Sequence, residues 1–130
     1  MKSLLLGAAL AACLSTSAFA QSVCGFTMRA ANDGSDSFAI SGPVCNSMEA
    51  AIAVAYYQAT EGFSPRESVN YVNGRRHDQS CFMASGGTAR KISTEVKHDQ
   101  DNDALVVQIW EFKSPTLVRT LISAHYRDWC

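Results

Sequence analysis

The sequence is poor in the features that would fix its chemistry. It has 3 prolines and 8 glycines in 130 residues, and no repeat, low-complexity tract or linker divides it, so it reads as one domain around one core. It lacks the Gly-x-Ser-x-Gly elbow that carries the nucleophile of an α/β-hydrolase. It lacks Cys-x2-Cys and any Cys/His pair at ligand spacing, which argues against a structural zinc site, and no cofactor or metal is expected. Charge of one sign is also lacking: 11 basic and 12 acidic residues leave a formal charge of −1. That balance gives no whole-molecule attraction to nucleic acid or anionic lipid. Beyond the first residues no apolar run is long enough to cross a bilayer.

What is there begins with a leader. Lys2 precedes an apolar run from Leu4 to Leu14, and Ala18-Phe19-Ala20 has the small-x-small pattern that signal peptidase reads. Residues 1–20 are expected to be a signal peptide, and residues 21–130 a single exported domain, periplasmic or secreted. A competing reading takes Leu10-Ala11-Ala12-Cys13 as a lipobox, acylated at Cys13, which would make the protein a membrane-anchored lipoprotein. The leader before Cys13 is short for that, with Lys2 its one basic residue. Removing residues 1–20 takes away that lysine and leaves 10 basic and 12 acidic residues.

It also leaves Cys24, Cys45, Cys81 and Cys130. An even number of cysteines in a small exported domain reads as two disulfides, for which three connectivities exist. We expect Cys45–Cys81, clipping a helical unit to a sheet, and Cys24–Cys130, joining the ends of the mature chain. Spacing alone dictates neither pairing.

The helical unit is the organising stretch. Asn46 is placed to cap, Glu49 to reach back to the cap, and Gly62 to supply a left-handed exit. Alanines 50, 51, 53, 55 and 59 favour helix because they lose no side-chain entropy on folding. Met48, Ile52, Ala55, Tyr56, Ala59 and Phe63 recur at three- and four-residue steps, so one main helix over about 46–61 should bury that stripe. Ser64-Pro65-Arg66-Glu67 is a second capping signature and predicts a short helix ending at Asn73-Gly74. The same Asn-Gly could instead turn a hairpin.

Around these helices the chain reads as strands. Val23–Ala30 and Ser37–Ser41 flank a turn-rich cluster at 32–36. Further strands are expected at Ser80–Ala84, Arg90–His98, Ala104–Lys113 and Leu117–Arg127, separated by Ser85-Gly86-Gly87-Thr88, by residues 99–103 and by Ser114-Pro115-Thr116. The fold class is thus α+β, one main helix and a short second one packed on an antiparallel β-meander, stapled by disulfides. Loop lengths place Val96 opposite Val106, Ile92 opposite Trp110, Phe112 opposite Val118 and Gln108 opposite Ile122. The face docked on the helix is then Ile92, Val96, Val106, Trp110, Phe112, Val118, Ile122, Ala124 and Tyr126. The second face carries Leu105, Val107, Ile109, Leu117 and Leu121 beside Glu95, Lys97, Arg119 and His125. Either the hairpin residues Phe26, Met28, Phe38 and Ile40 cover that face, or it is an apolar strip edged by charge, as a protein-binding surface requires.

Motifs for chemistry are thin. Asp99-x-Asp101-x-Asp103 starts like a calcium loop, but Ala104 stands in place of the required glycine and Trp110 in place of the bidentate glutamate, so a solvated turn is preferred. His77-Asp78 and His98-Asp99 are neighbours that point apart on a strand and make no dyad alone. Ser85-Gly86-Gly87-Thr88 with Arg90-Lys91 could cradle an anion, yet lacks the helix and lysine of a phosphate loop. Arg75-Arg76-His77 is the densest cationic spot, and paired arginines grip carboxylates bidentately. Candidate binding residues are therefore Arg75, Arg76, His77, Arg119 and His125, with no catalytic residue assigned. The leading expectation is a non-enzymatic exported protein-binding domain, such as an inhibitor, an immunity-type partner or an envelope accessory protein, its partner another protein or an envelope component. The alternative is a small exported hydrolase in which at least two of His77, His98 and His125 converge with an aspartate.

Overall fold

A computed structural model of the protein describes residues 20–23, 25–30, 37–113 and 116–127. One antiparallel sheet runs β1 (Ala20–Val23), β2 (Phe26–Ala30), β3 (Ser37–Cys45), β4 (Cys81–His98), β5 (Ala104–Lys113) and β6 (Val118–Tyr126), each strand hydrogen-bonded to the next. Two helices, α1 (Met48–Glu61) and α2 (Pro65–Arg76), sit between β3 and β4 in the chain and cover one face of the sheet. The α+β class is as expected, and so is the disulfide between Cys45 and Cys81. Among the described residues no helix is long and apolar enough to cross a membrane. The expected leader, apart from Ala20, and the alternative anchor at Cys13 lie outside the described residues, as does the expected Cys24–Cys130 bridge.

The helices begin on short polar side chains. Ser47, not Asn46, caps α1, its hydroxyl accepting from the Ala50 N–H at 3.2 Å. Glu49, freed from a capping box, meets Arg76 of α2 instead, at 3.4 Å. The capping box expected at α2 is present in full: Ser64 Oγ accepts from Glu67 N, and Glu67 Oε1 accepts from Ser64 N. That helix runs past Gly74 to Arg76 and ends on His77 in the left-handed region (φ 57), not at Asn73-Gly74. The hairpin reading of Asn73-Gly74 is excluded.

Small side chains decide how close α1 lies. Its fully buried residues are Ala50, Ala51, Val54 and Ala55, while Ile52, Tyr56 and Ala59 of the expected stripe are half-buried flanks. The alanine face lets the helix settle directly over Cys45 and Cys81, where Val69 and Val72 of α2 close the cluster. Ser68 ties the two helices by donating to the Val54 carbonyl at 2.7 Å.

Three strand expectations are corrected. First, Val23–Ala30 is two strands, β1 and β2, meeting at a turn through Gly25, whose φ of 77° suits glycine. A Cβ there would stand 2.3 Å from Pro65 Cγ, so glycine also lets this turn press against the start of α2. Second, Ser85-Gly86-Gly87-Thr88 is no hairpin and no anion cradle: β4 runs through it, and Gly86 is an extra residue between the pairs Ser41–Ser85 and Ile40–Gly87. Third, the register slips. Val96 opposes Val106 as expected, but Ile92 is bulged and Lys91 faces Trp110. The β5–β6 connection has four residues, so Lys113 opposes Val118, Phe112 opposes Arg119 and Gln108 opposes Ser123.

These shifts exchange the faces. Leu105 and Val107, assigned above to the second face, pack under the helices beside Ile122 and Tyr126, with Ile109 and Ala124 at their border. Trp110 and Phe112 turn to the other face. There Trp110, fully buried, meets Phe26, Met28, Ile40, Val44 and Leu121, with Phe112 packed at the edge. The N-terminal hairpin does cover a second apolar face, but a face centred on Trp110. The indole N–H donates to Ser123 Oγ at 3.0 Å, a partner that only the slipped register provides. β3 also touches β6 at Cys45–Ile122, so β3 to β6 curl into a partly closed barrel round this second core.

Candidate interaction surface

The open seam of that barrel follows from where β4 changes partners. Along Cys81–Arg90 it pairs with β3, and along Ala89–His98 with β5. Among the described residues, the edge of β4 turned away from β3 therefore has no strand beside it between Cys81 and Thr88. At Cys81 a side chain fills in: Asn73 of α2 accepts from the Cys81 N–H at 3.0 Å and donates to its C=O at 2.8 Å, as a neighbouring strand would. One residue earlier the Ser80 carbonyl faces the other way, accepting from Asn46 N at 2.9 Å. In an antiparallel strand successive residues aim their N–H and C=O to opposite edges. With Cys81 aimed outward, so are Met83 and Ser85. Pro43 lies opposite Met83, in the phase where a missing N–H removes no rung between β3 and β4.

Beyond that bare edge lies a trough. One hollow of about 290 Å³ has Phe82, Ala84, Gly87, Phe112, Arg119 and Leu121 in its walls. A second of about 330 Å³ shares Gly87, Phe112 and Arg119 and adds Lys113 and Leu117. Gly87 makes room for the Phe112 ring, since a Cβ on it would lie 3.1 Å from Phe112 Cε1. Leu117 and Val118 at the rim are more than half exposed. Arg119 reaches over from β6, its guanidinium 5.2 Å from the Phe82 ring centroid. Among the described residues no carboxylate pairs with it, whereas Arg90 pairs with Glu111 at 3.4 Å.

The other proposed site residues are spread out. Arg76 bridges Glu49 and Asp78, each at 3.4 Å, so it ties α1 to the end of α2 and is not an open claw. Arg75 stands over Tyr71 at 5.7 Å from the ring centroid, within an edge-to-face run of Phe63, Tyr71, Tyr57 and Tyr56. Sequence reasoning missed Tyr57 and Tyr71 there, because a stripe drawn at helical spacing on one helix does not show where a second helix brings its own rings. His77 is the exposed cap of α2, beside a shallow polar hollow with Asn70 and Asp78. Ser80 holds the Asp78 carboxyl below its ordinary value, first through its hydroxyl and then through its N–H, which donates to Asp78 Oδ1 at 3.0 Å.

The histidines do not assemble a dyad. His77 precedes β4 and His98 ends it, so about 55 Å of extended chain lies between them at 3.3 Å per residue. His98 and His125 lie on one sheet face with β5 between them. Burial alone holds His125 below the ordinary imidazole value. Among the described residues no histidine is hydrogen-bonded or ion-paired to a carboxylate.

The three aspartates of the β4–β5 turn come within 4.8 Å of one another. Asp99 is committed to the turn itself: Oδ1 accepts from the Asp101 and Asp103 N–H groups at 2.9 Å, and Oδ2 accepts from the Tyr126 hydroxyl at 2.8 Å. Those bonds, the one from the Asp103 N–H first, hold Asp99 below its ordinary range, while burial and then the bond to Asp99 raise the Tyr126 hydroxyl. No family model, curated protein or solved structure matches the chain.

Proposed function

We propose that this is an exported, non-enzymatic domain that binds another protein or an envelope component through the trough between β4 and the β5–β6 hairpin. The observation that carries the reading is the pair of adjoining hollows that share Gly87, Phe112 and Arg119, apolar in their walls and cationic at the rim. Half-buried aromatics beside an arginine have the composition of an interface hot spot. No cofactor is required, and the near-balanced charge gives no reason to invoke nucleic acid.

We rank the hydrolase alternative lower, because among the described residues no histidine is hydrogen-bonded or ion-paired to a carboxylate and Asp99, the neighbour of His98, is engaged in its turn. The Arg75–Tyr71 cluster is a second contact surface, of lower priority since its rings already pack edge to face on one another, and it serves as the control. The test is affinity capture by the oxidised domain from an envelope extract, in parallel with Arg119→Glu, Leu117→Asp and Arg75→Ala domains. The proposal expects at least one saturable partner lost with the first two variants and kept with the third. Retention of every partner by Arg119→Glu and Leu117→Asp would overturn it.

A further inference from the structure

We infer that the partner enters the trough as an extended polypeptide segment that adds to the bare edge of β4, placing an apolar side chain against Phe112 and a carboxylate on Arg119. The inference rests on the binding role proposed above and names the mode. Three observations carry it.

The first is main-chain. Asn73 already shows what this edge accepts, a donor and an acceptor side by side at Cys81. Met83 and Ser85 present the same pair of groups to the trough, and both residues line it. A strand edge left unpaired is a template for another strand, and peptide recognition by strand addition takes its affinity from such main-chain bonds and its specificity from alternate side-chain pockets. The edge is also short and is stopped by the Gly86 bulge, which fixes where an added strand can begin and end.

The second observation is spacing and chemistry. Side chains of an added strand alternate in direction, so every second one points into the hollow walled by Phe82, Phe112 and Leu121. An acyl chain would gain from the same apolar walls but would leave the Met83 and Ser85 groups unanswered. The third is charge. Arg119 crosses the trough with no carboxylate partner among the described residues, and Lys113 stands at its far end. Glu111, on the same strand as Phe112, already pairs with Arg90 at 3.4 Å. An acidic residue on the incoming segment satisfies this rim.

The experiment uses a random twelve-residue peptide library displayed on phage, selected on the oxidised domain and counter-selected on Arg119→Glu. The inference expects peptides with an acidic residue next to alternating apolar ones. Their binding should slow hydrogen exchange at the Met83 and Ser85 amides at least tenfold, and methylating alternate backbone nitrogens of the peptide should weaken it at least tenfold. Exchanging Glu for Lys in the peptide should restore binding to Arg119→Glu. Peptides that perturb Phe112 and Arg119, yet leave the two amides unprotected and tolerate backbone methylation, would overturn strand addition and leave the binding role standing. If no selected peptide perturbs the trough, both fall. Decanoate competing for the trough without slowing the two amides, or dimerisation of the domain that protects them with no peptide present, would also overturn the inference, in favour of an acyl ligand or a second copy.

Discussion

Two adjoining stretches of one strand edge are finished in opposite ways. At Cys81 the outer edge of β4 is capped by the Asn73 amide, pinned to β3 by a disulfide and roofed by the alanine face of α1. From Phe82 to Ser85 the same edge faces a trough with an arginine across it. The first stretch shows that the fold can close an edge with a side chain when a core demands it. Among the described residues the second has no such plug. On the reading proposed above, stability resides at Cys81 and binding at Met83 and Ser85, and the two can be separated by mutation.

The largest effect should come from the closed stretch. Replacing both Cys45 and Cys81 by Ala releases a link across 36 residues, and loop entropy puts the loss at about 4 kcal/mol. Urea unfolding of the oxidised protein and the double variant measures it, and a loss under about 1 kcal/mol would show that the bridge is incidental to the fold. Next, Asn73→Ala strands the buried N–H and C=O of Cys81, at a cost of about 2–4 kcal/mol for two groups. The same variant should extend the bare edge by one rung and leave the trough's ligand bound. Loss of binding with unchanged stability would reverse the assignment of the two stretches.

Acid should act through groups outside both stretches. Burial lowers the folded value of His125 below its ordinary 6.5, so the unfolded chain takes up the proton first. Its contribution is complete above about pH 6.5 and declines as pH falls through that value. Asp99 is lowered by the N–H of Asp103 and the Tyr126 hydroxyl, so its contribution is present above its ordinary value of 3.8 and is lost as pH falls below it. Thermal melts from pH 8 to pH 3 should show two declines, the upper removed by His125→Gln and the lower reduced by Asp99→Asn. Binding at the trough should not follow the upper decline, and below about pH 4 it should weaken for its own reason, as the ligand's carboxylate is protonated. The smallest effect on stability is expected at the open stretch: Arg119→Glu and Leu117→Asp should each stay within about 0.5 kcal/mol of the parent while abolishing capture.

Much of the architecture was legible because it was written locally. The capping box at Ser64 and Glu67, the left-handed Gly62 and the alternation around Val96 are patterns of near neighbours, and each predicted its element. What failed was long-range. A β5–β6 loop one residue longer than expected turned Trp110 away from the helices, and nothing near Pro115 announces that Ser123 will satisfy the indole. Gly86-Gly87 reads as a turn, and only the pairing of β3 makes it a bulge within a continuous strand. Arg119 could be named as a candidate from composition. Its importance depends on Phe82 and Phe112, which the curl of the sheet brings to it from two other strands.

The most direct measurement is residue-resolved hydrogen exchange on the free, oxidised domain. The account predicts a slow amide at Cys81, fast amides at Met83 and Ser85, and a Cys81 amide that joins the fast group in Asn73→Ala. Met83 and Ser85 amides as slow as that of Cys81 in the parent protein would mean that the edge is already paired, and would contradict the account.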